Sequence, residues 1–160
     1  MSRELHTYEY VKVPFERVRD ALVTDGVDLF ARATHAAASR AHGIVSMLAV
    51  SIAGLEVGKD IVVRVTGTHP CAGEPPLERA IRLDLEWGAD TNESLFPAMR
   101  ASLIATAFND ETRLDLRGTY TPPGGVLGEA ADRLLGARIA EASVHRFLQD
   151  VACRLSQELG

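Results

Sequence analysis

The sequence predicts an α+β fold in which a curved antiparallel sheet wraps a long C-terminal amphipathic helix, with two short helices after the first strand. Three patterns carry that expectation. Residues 78–87, 95–108 and 112–121 alternate apolar and polar with the period of half-buried strands. The last third of the chain places Ala140, Val144, Phe147, Leu148, Val151 and Leu155 on one side of a helical wheel. Between these regions, short turn-forming clusters rich in Gly, Pro, Asn and Asp set hairpin spacing rather than crossover spacing.

Taken in order, Leu5 to Val13 reads as the first strand, and Pro14 opens a helix because its missing N–H is an orphan at a helix start. Phe15, Val18, Ala21 and Leu22 give that helix an apolar face, and Thr24-Asp25-Gly26 is expected to end it. The alanine-rich stretch Val27 to His42 reads as a second short helix. Ile44 to Leu55 and Asp60 to Thr68 read as a hairpin turning near Gly58, with Ile61, Val63 and Val65 inward. His69 to Leu77 reads as a loop. In the next strand Ile81, Leu83, Leu85 and Trp87 share the dry face. Met99, Ala101, Leu103 and Ala105 follow in the fourth strand, then Leu114, Leu116, Gly118 and Tyr120 in the fifth. Pro122-Pro123-Gly124-Gly125 stops the sheet, and a helix from about Val126 to Leu159, kinked at Gly136, closes the chain.

Length and charge narrow the function. Residues 1–160 suffice for one domain with a real core. The net charge of -5 is the wrong sign for a protein that tracks phosphates, so nucleic acid is not expected as a partner. The basic residues, all arginine except Lys12 and Lys59, are scattered rather than clustered. The apolar stretch from Ile44 to Leu55 is too short and too interrupted to span a bilayer, so no integral membrane association is expected. Met1 to Tyr10 lacks a signal-peptide pattern, and two cysteines, Cys71 and Cys153, without a CxxC motif read as free thiols of a reducing, cytoplasmic setting. A homo-oligomer stays compatible with all of this.

The order of elements is the helix-grip arrangement. At Val13-Pro14-Phe15-Glu16-Arg17-Val18-Arg19-Asp20-Ala21-Leu22 the chain resembles the strand-to-helix junction of the START-like or SRPBCC superfamily, which includes polyketide cyclase/dehydrase-like and coenzyme-Q-binding proteins. The run Leu114-Asp115-Leu116-Arg117-Gly118-Thr119-Tyr120-Thr121 with Pro122-Pro123-Gly124-Gly125, followed by the terminal helix, resembles the other end of that domain. The resemblance implies a cavity between sheet and terminal helix that holds a small hydrophobic molecule, such as a lipid, quinone or polyketide. It implies no catalytic residue, because one fold serves many functions.

Side-chain chemistry adds little to that expectation. His6, His35, His42, His69 and His145 form no HExxH, and His69-Pro70-Cys71 lacks a second ligand pair, so neither metal nor cofactor is expected. Ser143 and His145 lie two apart on a helix and point away from each other, which rules out a nucleophile-base pair. Gly124-Gly125 before a helix lacks the lysine of a phosphate loop. The outward arginines Arg64, Arg82, Arg113 and Arg117 read as a solvated face. No catalytic residue is assigned. The expected ligand wall is Val63, Val65, Leu83, Leu85, Trp87, Met99, Leu116, Tyr120, Phe147 and Val151. Two rival readings are a cyclase-like enzyme using Tyr120 or His69 for proton transfer, and a ligand-free interaction module presenting Ile104 and Phe108.

Overall fold

A computed structural model of the protein describes residues 3–47, 61–71, 79–89, 98–121 and 129–160; for 34–47, 61–63, 87–89, 98, 121, 129–140 and 143 it describes the backbone alone. The elements are β1 (Arg3–Val11), α1 (Phe15–Met47), β2 (Ile61–Cys71), β3 (Ala80–Ala89), β4 (Ala98–Phe108), β5 (Glu111–Thr121) and α2 (Glu129–Leu159). The five strands form one antiparallel sheet in the order β1-β5-β4-β3-β2. The predicted α+β fold is present: a curved meander, a helix after the first strand and a long terminal helix.

The junction between β1 and α1 follows from its residues. Lys12 and Val13 separate the strand from Pro14, whose carbonyl accepts from Arg17 N at 3.1 Å and Val18 N at 3.3 Å, starting the helical ladder. The buried Thr112 hydroxyl donates to Val13 O at 2.8 Å, tying this corner to β5. Glu16 sits in the first turn, where the helix dipole favours an anion. Backbone hydrogen bonding there, and then its ion pair with Arg79, hold its carboxyl below the usual range.

The helical layer departs from expectation. Phe15 to Met47 is one continuous helix, not two short ones broken at Thr24-Asp25-Gly26. The reason is tertiary: the buried stripe Val18, Leu22, Gly26, Leu29, Phe30 and Ala33 runs straight through the expected stop, while Thr24 and Asp25 point to solvent. Packing of that stripe outweighs the weak local preference for a break. Residues 44–47, expected as the start of a strand, belong to α1. The rest of the expected first hairpin arm, its turn at Gly58 and the Pro122 to Gly125 stop lie outside the described residues. Helix α2 therefore shares the cover of the sheet: it packs on α1, β1 and β5, while α1 reaches β2, β4 and β5.

β2 also runs further than expected, through His69, Pro70 and Cys71. Among the described residues β2 lies at the edge of the sheet, where a missing N–H need not cost a ladder bond, so proline is tolerated there. A bulge between Val65 and Gly67 bends this edge. On β5, a Cβ added to Gly118 would lie 2.6 Å from Arg100 O and 2.8 Å from Ala101 Cβ, so only glycine lets the two strands approach this closely.

Gly118 and Gly26 give opposite predictions. Gly118→Val should destabilise the protein by about 1–3 kcal/mol, since the new side chain meets backbone. Gly26→Ala should stabilise it by roughly 0.5–1 kcal/mol, because its Cβ would meet Phe30 Cε2 at an ordinary 3.5 Å inside a helix. Thermal melts of both variants check the pair, and two shifts of the same sign would contradict it.

Candidate functional site

Strand register sorts the inner face of the sheet into cross-strand rows. Val63, Trp87, Met99, Tyr120 and Arg3 occupy one row. Val65, Leu85, Ala101, Gly118 and Leu5 make the next, and Leu83, Leu103, Leu116 and Thr7 the one after. Period-2 alternation turns the described side chains of all three rows to the same side of the sheet, so the apolar parity read along β3, β4 and β5 becomes one continuous surface.

Leu83, Leu85, Met99, Leu116, Tyr120, Phe147 and Val151 are all buried in a single cluster between sheet and helices, and Val65 packs partly buried against it. Eight of the ten expected wall residues are thus brought together, counting those seven and Val65. For Val63 and Trp87 the register alone is described, and their side chains lie outside the described residues. Helix α2 supplies Val144, Phe147, Leu148, Val151 and Leu155 as expected.

The share of α1 beyond Leu22 was missed in the sequence. Leu22, Leu29, Phe30 and Ala33 enter the same cluster, and the Phe30 ring lies 5.9 Å from that of Phe147, tilted by 36°. The signal was present as three-and-four spacing continued across Gly26, but the turn-like triplet masked it. Arg3 was also missed. It is exposed at the end of the Tyr120 row, and among the described residues it makes no ion pair.

Polar groups are scarce in this interior. Thr112 is the one other buried polar side chain among the described residues, and Val13 O satisfies it. Tyr120 is 2 % exposed, and no hydrogen bond to a described residue engages its hydroxyl. Its oxygen is not sealed either. Arg113 Nε is the one occluded side-chain N or O atom without an aligned hydrogen bond among the described residues. The Tyr120 Oη therefore keeps a sliver of accessible surface, as a group bordering an opening does.

The opposite face is built for water. His6 Nε2 lies 2.9 Å from Asp115 Oδ1, while Arg113 approaches the same carboxylate with Nε at 2.8 Å and Nη2 at 3.1 Å. The Nε contact is an ion pair with poor hydrogen-bond alignment, and the Nη2 contact is a hydrogen bond. Asp115 accordingly raises the Arg113 pKa. Around Asp84, His69 Nε2 sits at 3.1 Å, Ser102 Oγ donates at 3.1 Å and Arg82 Nε pairs at 3.2 Å. His69 thus faces solvent on the outer side, away from the apolar cluster. Tyr8, Tyr10 and Phe108 form an exposed aromatic group, with Tyr10 and Phe108 rings 5.4 Å apart.

Two open grooves flank β1. One, of about 390 Å³, lies between β1 and α2 beside Tyr10, Arg146 and Cys153; the other, of about 620 Å³, lies along β1 and β5 beside His6 and Arg117. Neither contains an expected wall residue. Among the described residues no three His, Cys, Asp or Glu side chains could share a metal, and no helix is long and apolar enough to cross a membrane. Cys71 and Cys153 are both free.

The fold has solved counterparts. The Zhui aromatase/cyclase from Streptomyces sp. R1128 superposes over 100% of this chain and 97% of its own, at a TM-score of 0.53 and 14% identity. Norcoclaurine synthase from Thalictrum flavum, solved with dopamine and hydroxybenzaldehyde, matches over 100% of this chain and 89% of its own, with TM-score 0.46 and 11% identity. A protein from Thermus thermophilus matches over 99% of this chain and 100% of its own, with TM-score 0.47 and 13% identity. No family model and no curated protein matches the sequence. The chain shares the helix-grip fold with that aromatase/cyclase, the fold that the resemblance implied.

The interior and outer faces make contrasting predictions. Phe147→Ala should cost about 3–5 kcal/mol, because it removes a buried ring and its contact with Phe30. Phe108→Ala, on the exposed face, should stay within about 0.5 kcal/mol. Urea denaturation of both variants checks the assignment of the two faces.

Proposed function

We propose that the protein binds a small, largely apolar molecule between the inner face of the sheet and the helices α1 and α2. The observation that carries this reading is the convergence of Leu83, Leu85, Met99, Leu116, Phe147 and Val151 around Tyr120, whose hydroxyl no described residue engages. That hydroxyl reaches accessible surface at the margin of an otherwise apolar cluster, where it can donate to a ligand oxygen while the ring packs on the ligand's apolar body. Val63, Val65 and Trp87 complete the proposed wall on the grounds of register. The helix-grip likeness to an aromatase/cyclase is compatible with a site for an organic molecule. The free cysteines favour a reducing, cytoplasmic setting.

The test is native mass spectrometry of the purified protein, followed by thermal shifts against quinones, fatty acids, long-chain ketones and aromatic polyketides. Binding at a hundredfold excess over Kd raises stability by about 2.7 kcal/mol, which a melt resolves easily. Retention of a small molecule, or a rise in Tm with at least one class, is the expected result. A ligand-free mass together with no shift across the whole set would overturn the reading.

A further inference from the structure

We infer that the ligand carries one acidic oxygen head group, held at the Tyr120 row by the Tyr120 hydroxyl and the Arg3 guanidinium, with its apolar body extending over the inner face. This inference rests on the proposed interior site and adds the chemical class of its occupant.

Tyr120 and Arg3 are direct partners in the register of β1 with β5. Residues so paired have Cβ atoms about 4.5–5.5 Å apart and project to the same side of the sheet. That side is the inner one, because Leu5 on β1 and Leu116 on β5, two and four residues away, both pack on the apolar cluster. The two side chains differ in depth. Tyr120 is 2 % exposed with an unengaged hydroxyl, whereas Arg3 is exposed at the edge strand and unpaired among the described residues.

This pairing sets a phenol donor inside the rim and a cation outside it. A carboxylate accepts from both at once: one oxygen from the hydroxyl, the other facing the guanidinium, which stays hydrated. The arrangement avoids the large cost of burying an unpaired charge, since the head group never leaves the rim. It also gives the apolar rows a direction, with Met99 next to the head group and Leu85 and Leu116 further along the tail. A neutral carbonyl would use the hydroxyl alone and gain nothing from Arg3.

The experiment measures binding of an n-alkane, the methyl ketone and the carboxylate of the same chain length to the full chain, by calorimetry at low and high salt. The carboxylate should bind tightest, and its advantage over the ketone should shrink at high salt. Tyr120→Phe should weaken the carboxylate by about tenfold or more, the worth of a hydrogen bond to a charged group, and leave the alkane within about twofold. Arg3→Gln should weaken the carboxylate by roughly threefold, as an exposed ion pair does, and abolish its salt dependence without touching the ketone. Equal affinity for ketone and carboxylate, or an equal loss for all three probes in Tyr120→Phe, would overturn the head-group assignment while leaving the interior site standing. Failure of all three probes to bind would overturn the interior site and this assignment with it.

Discussion

The structure depends on one constraint: the inner face of the sheet carries a continuous apolar surface over β3, β4 and β5 that must be covered. A single helix cannot shield five strands, and the chain meets the requirement with two long helices that pack on each other as well as on the sheet. Phe30 and Phe147 meet where those helices cross the interior. Each such buried ring or aliphatic side chain contributes roughly 1.5–3 kcal/mol against the entropy of ordering it, so loss of the helix pair would leave the sheet without its main source of stability. Curvature follows from the same requirement. The bulge at Val65/Gly67 and the close approach at Gly118 bend the sheet around the layer it covers.

The strands were legible in the sequence because a period of two survives local noise. Ile81, Leu83 and Leu85, then Met99, Ala101, Leu103 and Ala105, then Leu114, Leu116 and Tyr120 alternate almost without fault, and every one of those parities is reproduced by burial. The terminal helix was equally plain from the wheel of Val144, Phe147, Leu148, Val151 and Leu155. The length of α1 was not legible. Thr24-Asp25-Gly26 has the local chemistry of a helix stop, and only contact with α2 and the sheet, which no local pattern encodes, carries the helix through it. Pro70 misled in the same way, since its tolerance depends on the place of β2 at the edge of the sheet among the described residues.

The candidate site divides along similar lines. Which residues face inward was readable from parity, and seven of the ten residues expected to line a ligand are buried in one cluster. How the rows align was not readable, because register depends on turn geometry and on pairings between strands far apart in sequence. Arg3 illustrates the gap. Nothing in Met1 to Tyr10 marks it, and only the pairing of β1 with β5 sets it opposite Tyr120. The two faces of the sheet also differ in chemistry: the carboxylates of Asp84 and Asp115 gather arginines, His6 and His69 on the outer side, while on the inner side no described residue engages the Tyr120 hydroxyl.

Isotope-filtered NMR on a bound apolar probe tests the central claim most directly, by reading which methyl groups of the protein lie within reach of its protons. An interior site predicts cross-relaxation to Val65, Leu85, Met99 and Leu116, the inner-face rows. Cross-relaxation confined to Ile104 on the outer face would contradict it.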